Sequence, residues 1–241
     1  IFIVTDNKSA KQYYGDFDKS IKKSSTCIQR HCIIDKKKKE IPNACHWIDE
    51  NYILIGMGHY YKRDLFSAQE AFEYVAKEYP SPDAKYSGML WEMRAYNEIG
   101  SYSLTQEVMD ELRNAEDLPK KRDFQKNYAL ITADYYMKTG DYASAVRDLS
   151  KAISLTKNKS EKGRYTYILA QLCEKISDSK NAGIQYGLVG PLHPPYDMEF
   201  SAKINHARLF DTETGNSEPI KKELFKMLKE AKNADYQDQI Y

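Results

Sequence analysis

The chain has 241 residues, 41% of them apolar and 29% charged, which is the composition of an ordered globular or repeat protein and excludes a disordered one. Thirty-six Lys/Arg against 35 Asp/Glu leave a net charge of +1, which gives nucleic acid no electrostatic reason to bind. No apolar run approaches the roughly 18 residues needed to span a bilayer, and Ile1-Phe2-Ile3-Val4 is too short for a signal peptide. With no initiating Met, and with Asp238-Gln-Ile-Tyr241 reading as the start of a further helix, the chain is expected to be a piece of a longer protein.

Taken in order, Lys11 to His31 predicts a helix around Phe17, Ile21 and Ile28, with Ser20, Ser24 and Cys27 as its small positions. A lysine-rich loop follows, densest at Lys36 to Lys39 and read as a solvated segment, with Pro42 beyond it. Residues 1–46 are therefore expected to hold a partial repeat, the second helix of a hairpin and its loop. Trp47 to Lys62 and Phe66 to Tyr79 predict the first full hairpin, closed by Pro80 and Pro82. Lys85 to Ile99 and Leu104 to Asn114 predict the second, with Gly100 in its turn. Phe124 to Lys138 and Ala143 to Thr156 make the third, turning at Gly140-Asp141. Glu161 to Ile176 and Lys180 to Val189 make the fourth, ended by Gly190-Pro-Leu-His-Pro-Pro195. Met198 to Phe210 and Pro219 to Ala231 predict a fifth, looser pair within residues 195–241, separated by Asp211 to Ser217.

The four full hairpins share one phase. Gly56, Met93, Ala133 and Ala170 align, as do Ala68, Thr105, Ala145 and Ala182, and then Phe72, Met109, Leu149 and Tyr186. In every column the steps are 37, 40 and 37 residues. A small residue, a second small residue 12 positions on and a large apolar one four beyond that make the tetratricopeptide pattern. Its usual period is about 34, and the excess here falls in polar connections. Residues 47–194 are thus expected to be four tetratricopeptide repeats. The fold class expected is all-α, a right-handed superhelix (α-solenoid) of antiparallel helix hairpins whose concave wall grips a partner.

Little else in the chain suggests chemistry. Cys27, His31, Cys32, Cys45 and His46 lie near one another, but paired ligands at zinc spacing are lacking, so no metal is expected. A Cys32–Cys45 disulfide across the lysine loop is open to the chain in an oxidising compartment. His59 shares a column with Tyr96, Tyr136 and Cys173 and is expected as a core histidine. Phosphate loops, nucleophile elbows and H-E-x-x-H motifs are missing, so catalytic residues and cofactors are not expected.

The groove carries the functional expectation. The first helix of each tetratricopeptide hairpin lines the concave wall, which sets Ile53, Leu90, Leu130 and Tyr167 in one row. Met57, Arg94, Asp134 and Gln171 form the next, and Tyr60, Asn97, Met137 and Glu174 a third. These rows lack the Lys/Asn set of the co-chaperone carboxylate clamp. Apolar and mixed-polar rows suit an extended segment or a helix of a protein partner. Part of the same rows is equally readable as the core inside each hairpin.

Several flanking stretches are more specific than the repeat. Asp16-Phe-Asp-Lys-Ser-Ile-Lys-Lys-Ser-Ser-Thr-Cys-Ile-Gln-Arg-His31 and Trp47-Ile-Asp-Glu-Asn-Tyr-Ile-Leu-Ile-Gly56 are two of them. The others are Ala71-Phe-Glu-Tyr-Val75, Pro194-Pro-Tyr196, Lys203-Ile-Asn-His-Ala-Arg208 and Lys232-Asn-Ala-Asp-Tyr-Gln-Asp-Gln-Ile-Tyr241. In these the chain resembles the PorW/SprE family, tetratricopeptide lipoproteins of the type IX secretion and gliding motility machinery, from about residue 16 to the end. Cys27 and Cys32 depart from the apolar or small residues expected at their positions. The resemblance implies a non-enzymatic scaffold at the periplasmic side of the outer membrane, linking the periplasmic ring and the translocon. Its lipid anchor would lie upstream of Ile1. The repeats alone suit a second reading, a general tetratricopeptide adaptor for chaperones or outer-membrane protein assembly.

Overall fold

A computed structural model describes residues 48–79, 81–214 and 218–229. The predicted helix Lys11–His31, the lysine loop, Cys32, Cys45 and the segment Lys232–Tyr241 lie outside the described residues. Within them the protein is all-helical, with ten α-helices packed in adjacent pairs, one 3-10 turn and no strand. The chain divides into two compact units between Ile131 and Thr132, a point inside helix α5 (Arg122–Thr139).

The first unit holds α1 (Ile48–Tyr61), α2 (Leu65–Glu78), α3 (Pro82–Ile99), α4 (Tyr102–Asn114) and the start of α5. Helix α1 packs on α2, α2 on α3 and α3 on α4, and α1 also reaches α3. The second unit holds the rest of α5, then α6 (Tyr142–Leu155), α7 (Lys159–Lys175) and α8 (Ser179–Val189). A 3-10 turn (Gly190–Leu192), α9 (Tyr196–Thr214) and α10 (Glu218–Lys229) complete it. Here α6 packs on α7, α7 on α8, α8 on α9 and α9 on α10.

The repeat columns are the core. All twelve column residues are buried, from Gly56 and Phe72 in the first unit to Ala182 and Tyr186 in the second. In the first hairpin their sizes are matched. A Cβ added to Gly56 would stand 2.4 Å from a ring carbon of Phe72, so the glycine makes room for the phenyl ring. Between hairpins the same economy brings α3 onto α2, where a Cβ on Gly88 would meet the Phe72 carbonyl oxygen at 2.9 Å. Helices approach this closely only where one side offers no side chain. A smaller cluster, Phe200 and Met227 with Tyr196, Ile204, Leu224 and Leu228, joins α9 to α10.

The hairpin corners share one backbone conformation. Arg63, Gly100, Gly140 and Ser177 all have positive φ, at 66°, 87°, 85° and 60°. Each sits one residue before the N-cap of the next helix: Asp64, Ser101, Asp141 and Asp178. The N–H of Asp64 reaches back to the His59 carbonyl at 3.0 Å, Ser101 to Tyr96 at 3.0 Å and Asp178 to Cys173 at 2.9 Å. The Asp64, Asp141 and Asp178 side chains then accept from the N–H of Ser67, Ser144 and Asn181. Asp64 and Asp178 thus each close one helix with the amide and open the next with the carboxylate.

Three expectations are corrected. Pro82 does not end the first hairpin; it occupies the first turn of α3 behind the Ser81 cap, where its missing N–H costs nothing. Helix α9 runs on to Thr214, through half of the stretch read as a connection, because the sequence has no glycine or proline before Gly215. His59 is no core histidine. Its side chain is 34% exposed and its Nδ1 lies 3.0 Å from Asp64 Oδ2, tying the end of α1 to the cap of α2.

Candidate partner-binding groove

The first unit presents a groove of about 460 Å³ between α3 and the start of α5. Asp83, Ser87, Leu90, Trp91 and Arg94 line it from α3, and residues of the 121–131 segment, among them Phe124, Asn127 and Ile131, from the other side. Ser87, Leu90, Trp91 and Arg94 recur at helical spacing, as do Phe124, Asn127 and Ile131, so one face of each helix forms a wall. Leu90, Phe124 and Ile131 are buried and give the groove an apolar floor, while Trp91 and Arg94 are half-buried along its side.

An aromatic cluster stiffens that side. Trp91 stacks on the buried Phe72 ring at 5.5 Å and meets Tyr60 edge-on at 5.8 Å and Tyr61 at 6.4 Å. The Arg94 guanidinium lies 5.0 Å over the Trp91 ring and 5.9 Å from that of Tyr60, an arrangement favoured by the negative ring faces. At one end Lys121 reaches Asp83 at 2.6 Å, an exposed pair that bridges the two walls. Below the groove α4 and α5 are pinned through Asn97, whose Nδ2 donates to the Ile131 carbonyl at 3.1 Å and whose Oδ1 accepts from Thr105 Oγ1 at 3.1 Å.

Behind α3 lies a buried acid. Glu92 is 8% exposed and accepts from the Tyr96 hydroxyl at 2.8 Å. Burial pushes its carboxyl above the ordinary range, and burial together with Glu92 pushes the Tyr96 phenol up. In the connection after α4, the Asp117 carboxylate accepts from Tyr86 and holds that phenol up at about 12. Both acids are engaged within the unit.

Of the residues predicted for the concave wall, the groove brings together Leu90 and Arg94, with Tyr60 beside them. Asn97 is 2% exposed and bonded internally, so it acts in the core. Ile53 packs against Val75, Tyr79 and Ala84, again a core role, whereas Met57 and Leu130 are half-buried. In the second unit Asp134 pairs with Lys138 at 3.1 Å, and Met137 and Gln171 are half-buried. Tyr167 meets the Tyr186 ring edge-on at 5.6 Å. Glu174 accepts from the Tyr186 hydroxyl and from Arg208 on α9, both at 2.5 Å. Sequence reasoning missed Trp91, Phe124 and Asn127. Their signal was the spacing of each on its helix, which shows a face without naming what it faces.

In the described residues no group of three or more His, Cys, Asp or Glu side chains is placed to hold a metal ion. The buried Cys173 is a free thiol, and burial pushes its pKa up. None of the described helices is long and apolar enough to cross a membrane. Fold and groove together define an all-α protein of paired helices with an apolar cleft on one unit. Neither a protein-family model nor any of the curated proteins searched matches the chain.

Proposed function

We propose that the helix pairs are tetratricopeptide repeats of a right-handed superhelical scaffold, and that the protein acts by binding other proteins rather than by catalysis. The observation that carries this reading is the shared phase of buried columns and left-handed corners, with an N-cap residue directly after each corner. Local chain chemistry alone does not impose a common period on core and corners; a repeated hairpin does. The apolar groove beside Trp91 supplies a surface of the kind an extended partner segment occupies.

The particular setting proposed comes from the flanking motifs. Their resemblance to the PorW/SprE family favours a periplasmic, outer-membrane-associated role, joining ring and translocon components of type IX secretion. Affinity purification of the protein from native membranes checks it. Recovery of those components supports the reading, and their absence from a complex that is otherwise intact overturns it. Loss of outer-membrane protein folding with secretion spared would instead favour the general adaptor.

A further inference from the structure

We propose that the groove between α3 and α5 takes an extended protein segment carrying a carboxylate next to a large apolar side chain, with Arg94 holding the carboxylate. This rests on the scaffold reading and narrows it to one partner chemistry.

Charge complementarity points to the carboxylate. Two aromatic faces, Trp91 at 5.0 Å and Tyr60 at 5.9 Å, fix the Arg94 guanidinium, yet among the described residues no acid reaches it. Acids on the same walls have other partners. Glu98, one turn along α3, is held by Arg63 at 3.0 Å. Asp83 is held by Lys121 at 2.6 Å, and Asp123 lies 3.9 Å from Lys126. Arg94 is thus left as an oriented, half-buried cation on the groove side, with its charge not met by an acid among the described residues. A planar guanidinium in such a place selects a planar carboxylate, which it binds through two parallel hydrogen bonds.

The floor accounts for the apolar neighbour. Leu90, Phe124 and Ile131 have no polar group to offer, so burial there rewards a Leu, Ile or Phe side chain. From Asp83 to Arg94 the helix rises roughly 16 Å, a length that about five residues of extended chain cover. Nucleic acid is the poorer fit, because the groove floor is apolar and the whole chain carries a net charge of only +1.

The test selects random dodecapeptides displayed on phage against the immobilised full chain. Enriched sequences are then titrated against wild type, Arg94→Gln and the groove-filling Ser87→Trp. Asp or Glu beside a large apolar residue is the expected enrichment. Affinity is expected to fall at least about tenfold in both variants, while the melting temperature holds and binding weakens with salt. Arg94→Lys, which keeps the charge and loses the fork, should lie between. Peptides lost with Ser87→Trp but indifferent to Arg94→Gln overturn the carboxylate assignment and leave the groove in use. If no peptide is enriched, or binding is insensitive to Ser87→Trp, the groove reading itself falls.

Discussion

A left-handed backbone costs an L-residue about 1 kcal/mol or more, because Cβ crowds the following carbonyl. Two of the four corners bear that cost, Arg63 and Ser177, and two avoid it with Gly100 and Gly140. A Cβ at Gly140 would meet nothing within 4 Å, so Gly140→Ala isolates the backbone penalty, and we expect it to destabilise the fold. Ser177→Gly should stabilise by about 1 kcal/mol in denaturant melts. Gly56 is the opposite case, since its cost on substitution is steric. Gly56→Ala should destabilise by about 1–3 kcal/mol against the Phe72 ring. Adding Phe72→Leu should recover part of that loss, with a coupling of about 0.5–3 kcal/mol in the double-mutant cycle. Additive effects would show that the ring has room to move.

At the scale of elements α2, α6 and α8 begin on capping carboxylates, and these titrate. The Ser67 side chain, then its N–H, holds Asp64 below the ordinary carboxylate value; Ser144 does the same for Asp141, and Asn181 for Asp178. A carboxylate depressed in the folded state adds stability above its unfolded value, and that stability disappears as pH falls through the folded one. Melting temperatures from about pH 5 to about pH 3 should therefore drop less in a triple Asp→Asn variant, which keeps the cap and removes the titration. Equal slopes would exclude the caps as a source of acid sensitivity.

Helix existence was legible in the sequence because small and large residues recur at fixed spacing, and Gly100 and Gly140 announce their own corners. Arg63 and Ser177 carry no such mark; their corners are closed by local backbone bonds, Asp64 to His59 and Asp178 to Cys173, that residue type does not announce. The wall residues were legible as faces, not as contacts. Asn97 and Glu174 read as partner-binding, but Thr105 and Arg208, 8 and 34 residues away, take their polar groups, which periodicity does not reveal.

For the molecule as a whole, a repeat chain predicts that stability is local, since each hairpin leans on its neighbours alone. The Gly56→Ala lesion should raise hydrogen exchange in α1 and α2 while α7 and α8 keep their protection. A uniform rise through both units would instead mean that the chain unfolds as one block. Binding is expected to be similarly confined, because the groove, its aromatic side and Arg94 all belong to the first unit.

The corners keep one spacing throughout, while the connections do not: residues 115–121 join α4 to α5, where three residues suffice between α2 and α3. That longer strand is anchored rather than loose, with Pro119 buried, its carbonyl accepting from Gln125 Nε2 at 2.9 Å, and Asp117 tied to Tyr86. The longer joint is thus part of the packing of the first unit, and an insertion between Asp117 and Pro119 is expected to loosen its hold on Tyr86 of α3 and Gln125 of α5.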